Sequence, residues 1–163
     1  MPSTTYTPIA TTTLTGTDTE ILFSNIPNSF KDLVLISNFR FSTAGGVVIQ
    51  CNSDTVGPYP IQTLYSTGTT VLSHYENYSA SQLSYYVSFD QNYPGAFLIH
   101  FMDYSATDRH KNFICRASSV HNSGTCITAG RYASNSAISS FKIYSGTRLF
   151  QPGDKFSLFG IEA

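Results

Sequence analysis

Four histidines, His74, His100, His110 and His121, and ten acidic side chains make up the chain's means of acid–base and metal chemistry near neutral pH. They gather locally in one place, where His100-Phe101-Met102-Asp103 is followed by Asp108-Arg109-His110. His100, Asp103 and His110 are the natural candidates there for a metal site or an acid–base pair. Their spacing argues against it. Positions 100 and 103 have opposite parity, so on one strand they face opposite ways unless the strand ends between them. Asp108-Arg109-His110-Lys111 reads as a polar turn, and charges at a loop tip are ordinarily solvated. The other acids are scattered singly. The chain has no G-x-S-x-G, H-E-x-x-H, P-loop or G-x-G-x-x-G pattern. No catalytic, cofactor-binding or metal residue is assigned, and the expectation is a protein that is not an enzyme and needs no cofactor.

The three cysteines, Cys51, Cys115 and Cys126, are odd in number and form no C-x-x-C pair. Each lies in an apolar, strand-like run, which reads as a small buried hydrophobe. A Cys115–Cys126 bridge across a hairpin would need an oxidising compartment. The opening Met1-Pro2-Ser3-Thr4-Thr5-Tyr6 has neither the basic nor the apolar segment of a secretory signal, so folding in a reducing cytoplasm is expected. Asn77-Tyr78-Ser79 matches a glycosylation sequon and is read as chance for the same reason.

Tyrosine is the more informative residue. Tyr59, Tyr65, Tyr75, Tyr78, Tyr85, Tyr86, Tyr93 and Tyr104 crowd the middle of the chain. Its apolar ring and polar tip suit half-wet surfaces. These rings can line a subunit interface, stack on sugar rings, or simply serve as strand formers. The absence of Trp counts against sugar stacking.

The elements that must carry these residues are strands. Period-2 alternation recurs along the chain and helical periodicity is nearly absent. In Leu33 to Phe41 the odd positions read Leu, Leu, Ser, Phe, Phe, and the even ones turn polar at Asn38 and Arg40. That predicts a strand buried on both faces at its start and solvated on one face at its end. Further strands are expected at 9–14, 20–23, 47–51, 61–65, 70–73, 85–89, 96–101, 113–117, 125–131, 141–144 and 156–161. A short helix or long loop is allowed only over 74–84. Turn residues separate the runs, among them Gly45-Gly46, Gly57-Pro58, Tyr93-Pro94-Gly95 and Pro152-Gly153-Asp154. Short strands without intervening helices predict an all-β fold, an antiparallel two-sheet sandwich of jelly-roll type. The 163 residues fit one domain, 1–163. Residues 1–15 form either a Thr-rich first strand or an extended arm that adds to a neighbour's sheet.

Composition narrows the partners. Charged residues are 12% of the chain, and Ser with Thr fill about a quarter of it, against a charged fraction near a quarter in ordinary domains. The net charge of −1 and pI near 6.4 leave no basic footprint for nucleic acid. No apolar run approaches the roughly 20 residues of a membrane-spanning helix. A charge-poor sandwich avoids edge-to-edge aggregation when its edges are covered, as in a closed oligomer.

Five segments carry a family resemblance. They are Tyr6-Thr7-Pro8-Ile9-Ala10-Thr11-Thr12-Thr13-Leu14; Phe23-Ser24-Asn25-Ile26-Pro27 with Lys31-Asp32-Leu33-Val34-Leu35; Phe101-Met102-Asp103-Tyr104; Ala137-Ile138-Ser139-Ser140-Phe141-Lys142-Ile143; and Gly153 through Ala163. The chain resembles, over nearly its whole length, small β-sandwich virion structural proteins of tailed bacteriophages, as in marine phages and cyanophages. The resemblance implies a β-sandwich, a homotrimer, assembly in the host cytoplasm and a place in the virion. It supplies no catalytic residue. Three roles follow as expectations. The first is a capsid decoration or cement protein, in contact with itself and with the major capsid protein or another virion or tail protein. The second is a tail-fibre or receptor-binding subunit that contacts host surface glycan. The third is a glycan-degrading enzyme. The chain has neither heptads nor a β-helix repeat for a fibre shaft, which favours decoration.

Overall fold

A computed structural model describes residues 5–78, 81–82, 87–121 and 124–162. Among the described residues twelve strands run in chain order: β1 (Tyr6–Thr13), β2 (Glu20–Phe23), β3 (Asp32–Phe39), β4 (Val48–Cys51), β5 (Tyr59–Thr67), β6 (Val71–Tyr78), β7 (Ser81–Gln82), β8 (Gly95–Phe101), β9 (Lys111–Ser119), β10 (Gly124–Tyr132), β11 (Phe141–Tyr144) and β12 (Lys155–Ile161). They form an eight-stranded sheet, β1-β12-β3-β8-β9-β10-β5-β6, and a four-stranded sheet, β2-β11-β4-β7. Every ladder is antiparallel.

The order is that of a jelly roll with one element expanded. Set β1 and β12 aside, and count the β8–β9–β10 meander as one strand, which its odd number of antiparallel strands permits. The small sheet then runs first-eighth-third-sixth and the large sheet second-seventh-fourth-fifth, as two nested Greek keys require. The expected all-β sandwich is the fold.

Alternation explains each strand's place. In β9 the residues are alternately buried and exposed from Lys111 to Ser119. β3 is buried at Leu33, Val34 and Leu35 and alternates from Ile36 onward, as its sequence predicts. The first strand pairs with β12 of its own chain, with a register shift between Pro8 and Ala10. The helix or loop allowed over 74–84 is a strand as far as Tyr78. Its alternation is hidden in the sequence because half-buried His74 and buried Glu76 hold the positions that apolar residues usually take. Of the strand expected at 85–89, Tyr85 and Tyr86 lie outside the described residues, and Phe89 makes only a bridge to Gly45.

The space between the sheets is filled mainly by aromatic rings. Phe39, fully buried, meets the rings of Phe41, Phe89, Phe97, Phe150 and Phe156 at centroid distances of 5.2, 4.5, 6.3, 5.4 and 5.6 Å. Large rings bury much apolar area with few rotamers, so they hold two sheets about 10 Å apart. Gly95 opens β8 because nothing larger fits: a Cβ there would lie 2.1 Å from the Phe89 ring and 2.8 Å from the Ser118 carbonyl.

Candidate interaction surface

One row of the eight-stranded sheet's outer face crosses every strand in register: Thr11, Ser157, Ile36, Leu98, Arg116, Ile127, Leu64 and Ser73. Its rims are hydroxyl side chains, and Thr11 Oγ1 donates to Ser157 Oγ at 3.1 Å. On both sides of Arg116 its middle is apolar, where a solvated strand face normally carries polar side chains. Ile36, Leu64 and Ile127 are 46, 50 and 45% exposed. With Val71 and Ala96 they line a groove of about 560 Å³. Scattered apolar side chains on a surface are ordinary, but a contiguous band of them marks a contact site. Arg116 stands in the middle of the band, between Leu98 and Ile127. It is the band's only charge. In the next row His100 and Ile114 face each other, flanked by Val34 and Ala129.

The titratable residues singled out in the sequence fall as follows. β8 ends at Phe101, so the parity argument stops there, and Asp103 takes a left-handed turn conformation with φ of 49°. His100 and Asp103 do not touch directly but share Asp32. His100 Nε2 lies 2.9 Å from Asp32 Oδ2, and the Asp103 N–H donates to Asp32 Oδ1 at 2.9 Å. His110 is exposed on the turn before β9. Asp108 pairs with Arg109 at 2.9 Å, as a solvated turn pair does. Among the described residues, no three His, Cys, Asp or Glu side chains are grouped to hold a metal ion. Asp32 was invisible to sequence reasoning because it lies 68 positions from His100 and meets it only through the β3–β8 ladder. His74 and His121 find carboxylates too, His74 with Glu76 at 3.0 Å and His121 with Asp90 at 2.5 Å.

The tyrosines divide. Tyr59, Tyr65 and Tyr104 are buried, Tyr75 and Tyr93 are exposed, and the side chains of Tyr78, Tyr85 and Tyr86 lie outside the described residues. Tyr59 stacks on Tyr132 and accepts the Cys51 N–H at 2.7 Å. Tyr104 donates to the Pro27 carbonyl. The crowding of Tyr along the sequence therefore reflects core filling with buried hydroxyls satisfied as much as surface. Apolar Ile and Leu, not Tyr, form the band on the outer face.

Buried polar groups shape the interior. Lys111 is fully buried, donating to the carbonyls of Arg109 and Ser134 at 2.9 and 3.2 Å, and burial lowers its pKa. The N–H groups of Gly57 and Val56 hold the Asp54 carboxyl below the usual range, and the Tyr132 hydroxyl adds to this. Burial raises that of Asp154 despite the N–H groups of Gln151 and Arg40. None of the three cysteines is in a disulfide, and all three are buried. Cys115 opposes Thr128, and Cys126 opposes Ala117, so the two thiols are diagonal neighbours rather than a facing pair. No protein-family model, curated protein or solved structure matches the chain.

Proposed function

We propose that this chain is a non-enzymatic structural protein of a bacteriophage virion, a capsid decoration protein that works by fitting against copies of itself and against coat subunits. The contiguous apolar band across the outer face of the eight-stranded sheet carries the reading. A face with Ile36, Leu64 and Ile127 roughly half exposed is stabilised by being covered, at about 25 cal/mol per Å² of apolar area removed from water. The resemblance of the chain's ends and middle to virion sandwiches supports the particle as the setting, the host cytoplasm as the place of assembly, and a homotrimer as the unit. The low charge of the chain and the hydroxyl rims of the band suit a surface that packs closely and leaves few ions to desolvate.

Copy number in purified particles tests the proposal. A decoration protein is present in numbers on the order of hundreds, following the symmetry of the shell. Particles lacking it should lose resistance to heat. A count of a few dozen would place it in the tail instead. Turnover of a sugar polymer by the purified protein would overturn the reading altogether.

A further inference from the structure

The two edges of the eight-stranded sheet are built differently. At one edge β1 carries Pro8 and a register shift beside it, devices that blunt an edge against pairing. At the other, β6 runs eight residues, Val71–Tyr78, with no Pro, Lys or Arg and with an unbroken register against β5. Val71 is 71% and Tyr75 62% exposed on it, and Val71 also lines the end of the outer groove.

Glu76 faces the interior from this edge. It is 4% exposed and opposes Ile61. Its Oε1 meets His74 at 3.0 Å, but its Oε2 has no hydrogen-bond partner among the described residues. A buried carboxylate oxygen left so costs free energy that a donor would recover.

We infer that β6 pairs with β6 of a second copy, antiparallel about a two-fold axis through Tyr75, joining two eight-stranded sheets into one. In that register Tyr75 opposes the other copy's Tyr75, and His74 opposes its Glu76. Residues directly opposite share a face. The imidazole therefore arrives on the inner face, beside the oxygen that lacks a donor, twice by symmetry. Such an isologous contact needs self-complementarity, which the spacing of His74 and Glu76 about Tyr75 supplies. The seam does not depend on the virion reading. If both hold, it is the contact by which one trimer reaches the next.

Cysteine trapping on the purified protein tests the register, and the three native thiols are buried and will not interfere. Directly opposed residues have Cα atoms about 4.5–5.5 Å apart, within disulfide reach. Tyr75→Cys should give a two-chain band on a non-reducing gel under mild oxidation. Val71→Cys should not, because its copies would lie roughly 26 Å apart along the seam at about 3.3 Å per residue. The native protein should show a concentration-dependent doubling of its mass in sedimentation, from one chain to two or, if the trimer holds, from three to six, weakened at least tenfold by Glu76→Gln with the circular dichroism of the fold retained. A native chain whose mass shows no two-fold association, a Tyr75→Cys protein that stays single, or Val71→Cys cross-linking in its place would overturn the seam. Particle copy number is unaffected by any of these, so the two proposals fail separately.

Discussion

His100 on β8 and Asp32 at the start of β3 meet at 2.9 Å, and the same carboxylate caps the Asp103 N–H beyond the end of β8. The three residues thus form a structural staple that closes the β3–β8 ladder. Asp32→Ala removes the acceptor for both donors, one of them a backbone N–H, and should cost about 1–3 kcal/mol. His100→Ala leaves the Asp103 cap in place and should cost less, about 1 kcal/mol or below. Urea midpoints measure both. The reverse ranking would give the site to the histidine.

Phe39 touches five other rings and is fully buried, so Phe39→Ala leaves a cavity that neighbours of fixed shape cannot fill. The expected loss is about 3–5 kcal/mol. Val56→Ala, at a side chain 86% exposed, should change stability by no more than about 0.5 kcal/mol. Thermal and urea unfolding of the two variants read the contrast.

The strands were legible wherever apolar side chains mark most of the inward positions, as in β3, β9 and β12. β6 was legible only at its start, because His74 and Glu76 point inward and break the pattern that sequence reading relies on. Asp32 and His100 could not be joined from sequence, since ladder register between strands 68 residues apart is a tertiary property. The outer band was hidden for a related reason. Ile36, Ile127 and Leu64 each look like a core position in a strand, and only the closed register shows that they share the solvent side.

The acid limb of stability should separate two aspartates. Backbone N–H groups from Gly57 and Val56 hold the Asp54 pKa down in the fold. Its contribution is therefore present above the unfolded value near 3.9 and lost as pH falls through the lower folded value. Burial raises the Asp154 pKa. Its contribution is present below about 3.9 and lost as pH rises through the folded value. Relative to the native chain, Asp54→Asn should lose most at neutral pH, and Asp154→Asn should lose most in acid. Urea midpoints between about pH 2.5 and 7 check both slopes.

On the outer face, Ile127→Ser should leave the fold intact, because its side chain is 45% exposed and packs on the solvent side of β10. The variant should change stability by about 0.5 kcal/mol or less and weaken attachment to particles. Loss of stability comparable to a core substitution would show that the band is part of the monomer's own packing. Unchanged attachment would remove the band from the proposed contact.

Thiol reactivity tests how the interior treats charge. The thiolate is the attacking species, so reaction needs both ionisation and access. Burial pushes the Cys51 pKa up to about 12 and that of Cys126 to about 11, and it raises Cys115 well above the ordinary range. At about pH 8 an exposed thiol is substantially ionised, whereas these three stay protonated behind packed strands. A disulfide reagent should therefore label none of them in the native protein, and all three at once in urea. The native rate should follow global unfolding, since Cys51 lies on β4 and Cys115 and Cys126 on adjacent strands of the other sheet. Early labelling of Cys126 alone would mean that β10 opens locally, next to the groove. Replacement by Ala should then be milder than by Ser at all three positions, because each thiol fills space as a small hydrophobe and a hydroxyl in its place would have to find a partner.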